Sequence, residues 1–497
     1  MSDVSKMLCF TLLGLASPCG SNSSCLAAGP HQATGFKIGE VADTSAIVWT
    51  RLTARLSANP ADGPMVTIEY SDASIARSDG KQRPNRRNRK ISAVRYPAGL
   101  SAGDLRDAAP GAQGQVRVLY TTSGGSGWSE TPWHAVDSDR DFTHQFKLDG
   151  LQPNTRYLVR VESRTTEDSP NGDALDGRFL TAPAADDPAR VVFTVSTGQR
   201  FPEKDEPDGF RIYSKMLELD PSFFVHTGDI VYYDRLAKTP ALARYHWQRT
   251  YGLPTNVAFH RQVASYFIKD DHDTWLNDCW PTLQTDYMHE FTFEQGLAIF
   301  REQVPMGQRT YRTQRWGRDL QVWLVEGRDF RSPNTMPDGP DKTIWGAEQK
   351  AWFKRTVAAS DATFRVLISP TPMVGPDRKN KRDNHSNAVF ANEGRELREF
   401  IASQKNMVVV CGDRHWQYHS IDPDSGVREY SCGPASDEHA GGWRQSDFVE
   451  THHRYLNVIG GFLSATVERV DDKPTLTFRF HDSQGEVQFE DALSPTL

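Results

Sequence analysis

Cysteine is scarce where the chain would fold. Of six cysteines, Cys9, Cys19 and Cys25 lie before residue 30, and Cys279, Cys411 and Cys432 are scattered over the rest without a CxxC spacing. That distribution excludes a disulfide-built fold and offers no zinc-thiolate site. It leaves either one disulfide with a free thiol or three inert buried thiols. No apolar run is long enough to span a bilayer, so a soluble mature chain with no transmembrane anchor is expected. Positive charge is not in excess either: the formal net charge is −7, which removes the usual reason to expect a nucleic-acid partner. The one dense basic run, Lys81 to Lys90, contains Pro and Asn and is flanked by Ser, Asp and Gly. It reads as a solvated loop rather than a polyanion patch. GxSxG, GxxxxGKS/T and HExxH are all missing, so serine hydrolase, P-loop and zincin chemistry have no support.

What is present changes character three times. Residues 1–30 carry one lysine, a short apolar run and then small residues, the layout of a secretory leader that would send the mature chain to the periplasm or outside the cell. From 35 to 182, short alternating segments such as "SAIVWTRL", "GQVRVLYTTS" and "TRYLVRVESR" are separated by Gly, Pro, Asn and Asp. That cadence predicts an all-β sandwich of fibronectin or immunoglobulin type. After a linker at 183–190, "VVFTVSTG", "PSFFVHTGD", "TFRVLISPTP" and "KNMVVVCGDRH" are buried-strand runs interleaved with helical stretches such as "EGRELREFIASQ". Residues 191–497 are therefore expected to form an α/β layered domain, β-sheets flanked by helices, with its chemistry on the loops beyond the strand ends.

Four clusters follow those strands. In "FFVHTGDIVYYD", Asp229 and Tyr232 could supply a carboxylate and a phenolate to a hard, highly charged cation, or a helix cap beside core tyrosines. In "FIKDDHDTWLND", Asp270, Asp271 and Asp273 crowd His272. Acids converging on one point repel unless a cation compensates them, so Asp271 is a candidate ligand and His272 a proton donor or phosphate contact; a solvated acidic loop is the plainer reading. In "VVVCGDRHWQYHS", an extended backbone would aim Asp413 and His415 to one side and Arg414 to the other, while His419 reads as structural. In the long loop Ser369 to Asn387, His385 is either a weak metal candidate or an ordinary loop histidine.

Taken in order, "HTGDIVYYD", "KDDHDTW" and "CGDRHWQYHS" behind a β-rich segment beginning "GEVADTSAIVWTRL" resemble the PhoD-like alkaline phosphatases of the calcineurin-like metallophosphoesterase superfamily. The resemblance runs from about residue 35 to about residue 490. It implies a metal-dependent phosphoester hydrolase acting on a small or polymer-linked phosphoester, with metal-activated water attacking phosphorus in line. It implies Asp229 as bridging ligand, Tyr232, Asp271, Asp413 and His415 as further ligands, and His272 as catalytic histidine. Arg200 and Arg328 are candidate oxyanion contacts or surface salt-bridge partners. The family often has a Cys-Gln pair after the first strand, whereas this chain has "VSTGQRF", with Gly198 where the cysteine would stand. That departure opens the expected pair of metals to calcium, manganese or zinc as well as iron, or leaves one firm metal. It also keeps two alternatives in view: a sulfate-ester or phosphotriester hydrolase on the same scaffold, and a polymer-binding protein with a degenerate metal site.

Overall fold

The computed structural model describes residues 29–71 and 89–496. The expected leader, apart from its last two residues, and the basic run up to Asn88 lie outside the described residues. Among the described residues no helix is long and apolar enough to cross a membrane, and Cys279, Cys411 and Cys432 are separate buried thiols.

Two sheets stacked face to face carry the second half of the chain. The larger has nine strands, in the order Val487–Leu493, Lys473–His481, Phe462–Val470, Val191–Ser196, Phe223–His226, Ala264–Phe267, Phe36–Gly39, Ser45–Arg51 and Thr143–Asp149. The other has seven, in the order Arg312–Trp316, Leu320–Leu324, Phe364–Ser369, Met407–Cys411, Arg428–Cys432, Gln417–Ile421 and His453–Asn457. The continuous apolar runs are explained by burial on both faces. Phe223 and Val225 join Val366, Ile368, Val408 and Val410 in the core between the sheets. Phe224 turns outward to Ile212, Met216 and Phe259 of the helices Arg211–Glu218 and Pro254–His260. On the opposite outer face Leu367 and Val409 pack against Phe353, Leu397 and Ile401 of the helices Gly346–Ala358 and Ala391–Ala402. The result is four layers, helix, sheet, sheet, helix.

The alternating strands read from the first third of the chain are present, but they do not all keep to themselves. Gln115–Thr122, Arg156–Arg164, Asn171–Leu180 and Ser129–Glu130 make a separate antiparallel sheet. Its Val116, Val118, Val159 and Val161 share a core with Phe36, Ile38, Val48 and Phe146. Those latter residues lie on strands that continue the nine-stranded sheet, because Gly39 runs parallel to Ser265. The composition shift near residue 183 thus marks a change in strand grammar, not an edge of the sheet.

The strands Val191–Ser196, Phe223–His226 and Ala264–Phe267 are parallel, so their carboxyl ends open on one side. The chain leaves them abruptly. Asp229 and Asp413 both sit at positive φ, 57° and 62°, a left-handed conformation that Asp tolerates better than most residues. Gly228 before the first of them has no alternative: a Cβ there would stand 2.7 Å from the backbone nitrogen of Asp270. The loop after Ala264–Phe267 is pressed from outside by the helix Phe293–Gln303, whose Gly296 would place a Cβ 1.7 Å from the carbonyl oxygen of Thr274. Gly296→Ala must push that helix off the 270–278 loop. The expected cost is about 1–3 kcal/mol, typical of overpacking, read as a lower urea midpoint with an unchanged slope.

Candidate active site

Asp229 is the centre of the arrangement. Its side chain is buried; Oδ2 accepts a hydrogen bond from the Tyr232 hydroxyl at 3.1 Å, and Oδ1 has no hydrogen-bond partner among the described residues. Burial pushes this carboxyl well above the ordinary range; His272 opposes the rise, and Asp271, Asp270 and Asp273 add to it. One ligand atom each from Asp229, Asp271 and His272 lie within 4.8 Å of one another, and so do those of Asp229, Asp270 and Asp413. His415 approaches with Nε2 3.9 Å from Asp229 Oδ2. Burial, then His439 and Arg414, lower its pKa well below the usual value, which keeps the imidazole neutral and able to donate a lone pair.

His272 stands at the junction of two cavities. The larger, about 610 Å³, is lined by Arg200, Phe201, Tyr232, Leu236, Arg249 and His439 among others. The smaller, about 280 Å³, holds Asp229, Asp413, His415, Arg378 and Lys381. Asp234 binds His272 Nδ1, and the backbone N–H of Asn277 donates to the same carboxylate at 2.9 Å, so Nε2 is the nitrogen left for the cavities. Burial alone would lower the His272 pKa; the carboxylates of Asp234, Asp271 and Asp229 outweigh it and hold the ring cationic well above the ordinary value.

The neighbouring acids are handled differently. Asp273 is a clamp, accepting the N–H of Ile230 at 3.1 Å and of Asp270 at 2.7 Å, and burial pushes its carboxyl up to about 8. Asp271 accepts the N–H of His272 at 2.8 Å and of Asp278 at 2.5 Å. Burial works against its charge, while Arg328 and His272 bring its pKa below the ordinary value.

The structure therefore gathers Asp229, Tyr232, Asp271, His272, Asp413 and His415 in one place, and Arg200 at its rim beside Glu203. Two expectations are corrected. Arg328 is completely buried, with Nε 2.6 Å from Asp270 Oδ1 and Nη2 3.7 Å from Asp271 Oδ2; it braces the acids from below and does not reach a substrate. His385 is buried with Nε2 3.0 Å from Glu393 Oε2, against the ring of Trp345, and none of the gathered carboxylates is among its partners. Asp413 and Arg414 also differ in detail from an extended strand. Arg414 is buried against Asp377 at 2.7 Å, and it is the left-handed turn at Asp413, not strand alternation, that aims the carboxylate.

Asp234, Glu203 and His439 were not singled out from sequence. Asp234 closes the same "YYD" stretch as Tyr232 and could have been found there; His439, in "SDEHAGGW", carries no local signal. The donor set suits a hard cation: buried carboxylates outnumber the protein cations beside them, and an oxygen of Asp229 and one of Asp270 are left unpartnered among the described residues.

A family model described as PhoD-like phosphatase matches residues 193–489. No curated protein matches the chain. Among solved structures, one titled "Structure of PhoD" is 15% identical, with a TM-score of 0.69 over 94% of this chain and 90% of that one. A purple acid phosphatase from yellow lupin (Lupinus luteus) seeds is 11% identical, with a TM-score of 0.61 over 92% of this chain and 74% of the other. At such identities the two structures speak to the fold alone.

Because Arg328 and Asp270 are both fully buried, Arg328→Met leaves an uncompensated acid. It should cost about 3–5 kcal/mol of unfolding free energy, whereas Arg200→Ala, at the rim, should stay within about 0.5 kcal/mol. Chemical denaturation of the two variants checks both.

Proposed function

The chain belongs to the PhoD-like phosphatase family and is a phosphoester hydrolase, and from that premise we propose how its residues divide the work. Asp229, Tyr232, Asp271, Asp413 and His415 would hold two divalent cations, calcium, manganese or zinc. The observation that carries this is the unpartnered oxygen of Asp229, buried among three further acids and a neutral His415. When bound, such cations acidify the attacking water and neutralise the equatorial phosphoryl oxygens.

The remaining chemistry falls to side chains. The phosphoryl group lies where the two cavities meet, with Arg378 and Lys381 lining the smaller one as counter-charges for its oxygens. The esterified alcohol extends into the larger cavity, where Phe201, Pro202, Leu236 and Leu276 offer apolar surface and Arg200 a charge at the mouth. Water oxygen bonds to phosphorus as the ester P–O bond breaks. His272, fixed by Asp234, gives its Nε2 proton to the departing alkoxide, the proton shed by the attacking water returns the ring to its cationic form, and the products are an alcohol and a phosphate. The pocket has room for an aromatic alcohol, which makes nitrophenyl phosphate a suitable probe.

Residues 35–182 are read as an all-β module in which Phe36–Gly39, Ser45–Arg51 and Thr143–Asp149 extend the catalytic sheet. The N-terminal 30 residues are read as an export leader, which would place the mature enzyme in the periplasm or outside the cell.

His272→Asn should lower kcat on nitrophenyl phosphate by about 10²–10⁴-fold while metal content, measured by elemental mass spectrometry, is unchanged. Asp229→Asn and chelation should each remove both metal and activity. Near-normal turnover by Asp229→Asn, or a rate on nitrophenyl sulfate above that on the phosphate, would overturn the assignment.

A further inference from the structure

Gly198 removes a side chain from a crowded place. Its backbone is bonded on both sides of the site: its N–H donates to the carbonyl of Gly228 at 3.2 Å, and its carbonyl accepts from Ala435 at 3.2 Å. With φ at +55°, a Cβ at this position would point at His439, 3.2 Å from Cδ2 and 3.5 Å from Nε2. The space that a ligand on residue 198 would enter is thus filled by an imidazole from a distant loop.

That imidazole is built in. The short 3-10 turn Asp437–His439 is pinned where Asp437 accepts the N–H of Gly460 at 2.8 Å, and the Ser436 hydroxyl donates to the backbone carbonyl of Glu203. His439 Nδ1 is bonded to the Glu203 carboxylate, which Arg200 also engages. Nε2 therefore faces the site, 2.7 Å from the Tyr232 hydroxyl, and the His439 ring centroid is 4.0 Å from that of His415. A carboxylate holding one imidazole nitrogen so that the other is presented to a cation is a recurrent outer-shell arrangement in metal sites.

We propose that His439 is a metal ligand through Nε2, on the ion held by Asp229, Tyr232 and His415, and that it occupies the coordination position left open at Gly198. Glu203 is its positioning residue. The inference rests on the metal-dependent reading above, so the test separates the two.

Manganese and zinc are titrated into metal-stripped full-length protein by competition with a chromophoric chelator, for the wild type, His439→Ala, Glu203→Gln and Asp229→Asn, with melting curves to verify folding. The wild type should bind two ions. Glu203→Gln should bind one of them about 10–100-fold more weakly, His439→Ala should weaken the same ion by more, and added imidazole should restore part of the His439→Ala loss. Wild-type affinities in both His439→Ala and Glu203→Gln, with Asp229→Asn defective, would overturn the role of His439 alone. Intact binding in Asp229→Asn would overturn the parent reading. If His439→Ala does not fold, Glu203→Gln decides, because it alters neither the ring nor its packing.

Discussion

Asp270, Asp271 and Asp383 crowd beneath the cavity floor, with Asp278 beside them at its lining, and an unpaired charge at such depth costs several kcal/mol. The chain answers with cations of its own: Arg328 reaches Asp270, Asp271 and Asp383, and Lys381 lies 2.9 Å from Asp278 and 3.0 Å from Asp383. Next to them Arg414 joins Asp377 to Asp413, and Lys269 is held between Glu326 and Asp329. In this lower tier most of the acids have a protein cation beside them, and one oxygen of Asp270 is left unpartnered among the described residues. One level up, Asp229 has only a phenol, a neutral imidazole and the already engaged His272 for company, so the deficit is handed to whatever enters from solvent. Every other feature of the site, from the left-handed turns to the bracing of His272 by Asp234, serves to hold that upper tier where the deficit is concentrated.

Much of this was legible in the sequence for a simple reason. Strands buried on both faces must be apolar throughout, so "FFVHTGD", "YFIKDDHD" and "VVVCGDRH" announce both the strand and the point where it stops. The acids placed immediately afterwards can go only to the strand-end loops, which the parallel pairing brings together. Asp229, Tyr232, Asp271, His272, Asp413 and His415 all became visible in that way.

The rest depends on partners that no local pattern reveals. Arg328 in "VEGRDF" follows a strand just as the site acids do, yet its guanidinium turns inward, because Asp270 lies there to receive it. His385 shares its polar loop with Lys381, which lines the smaller cavity, and is held away from it by meeting Glu393 of the outer helix. His439 lies more than two hundred residues from Tyr232 in sequence, and only the fold puts the two rings side by side. Pairing of Gly39 with Ser265 is equally silent: neither residue is apolar or distinctive, and their match is set by the sheets around them.

That last pairing bears on what the N-terminal strands are for. Were the chain to begin after residue 190, the strand Ala264–Phe267 would be left on a sheet margin with its backbone groups open, all four residues being buried at present. Exposed apolar margins of this kind recruit other chains. The strands Phe36–Gly39, Ser45–Arg51 and Thr143–Asp149 thus cover that margin of the catalytic sheet. They spread its margin over a stretch that ends in the half-exposed, charged Thr143–Asp149, and the two halves of the protein share both that line of hydrogen bonds and one core.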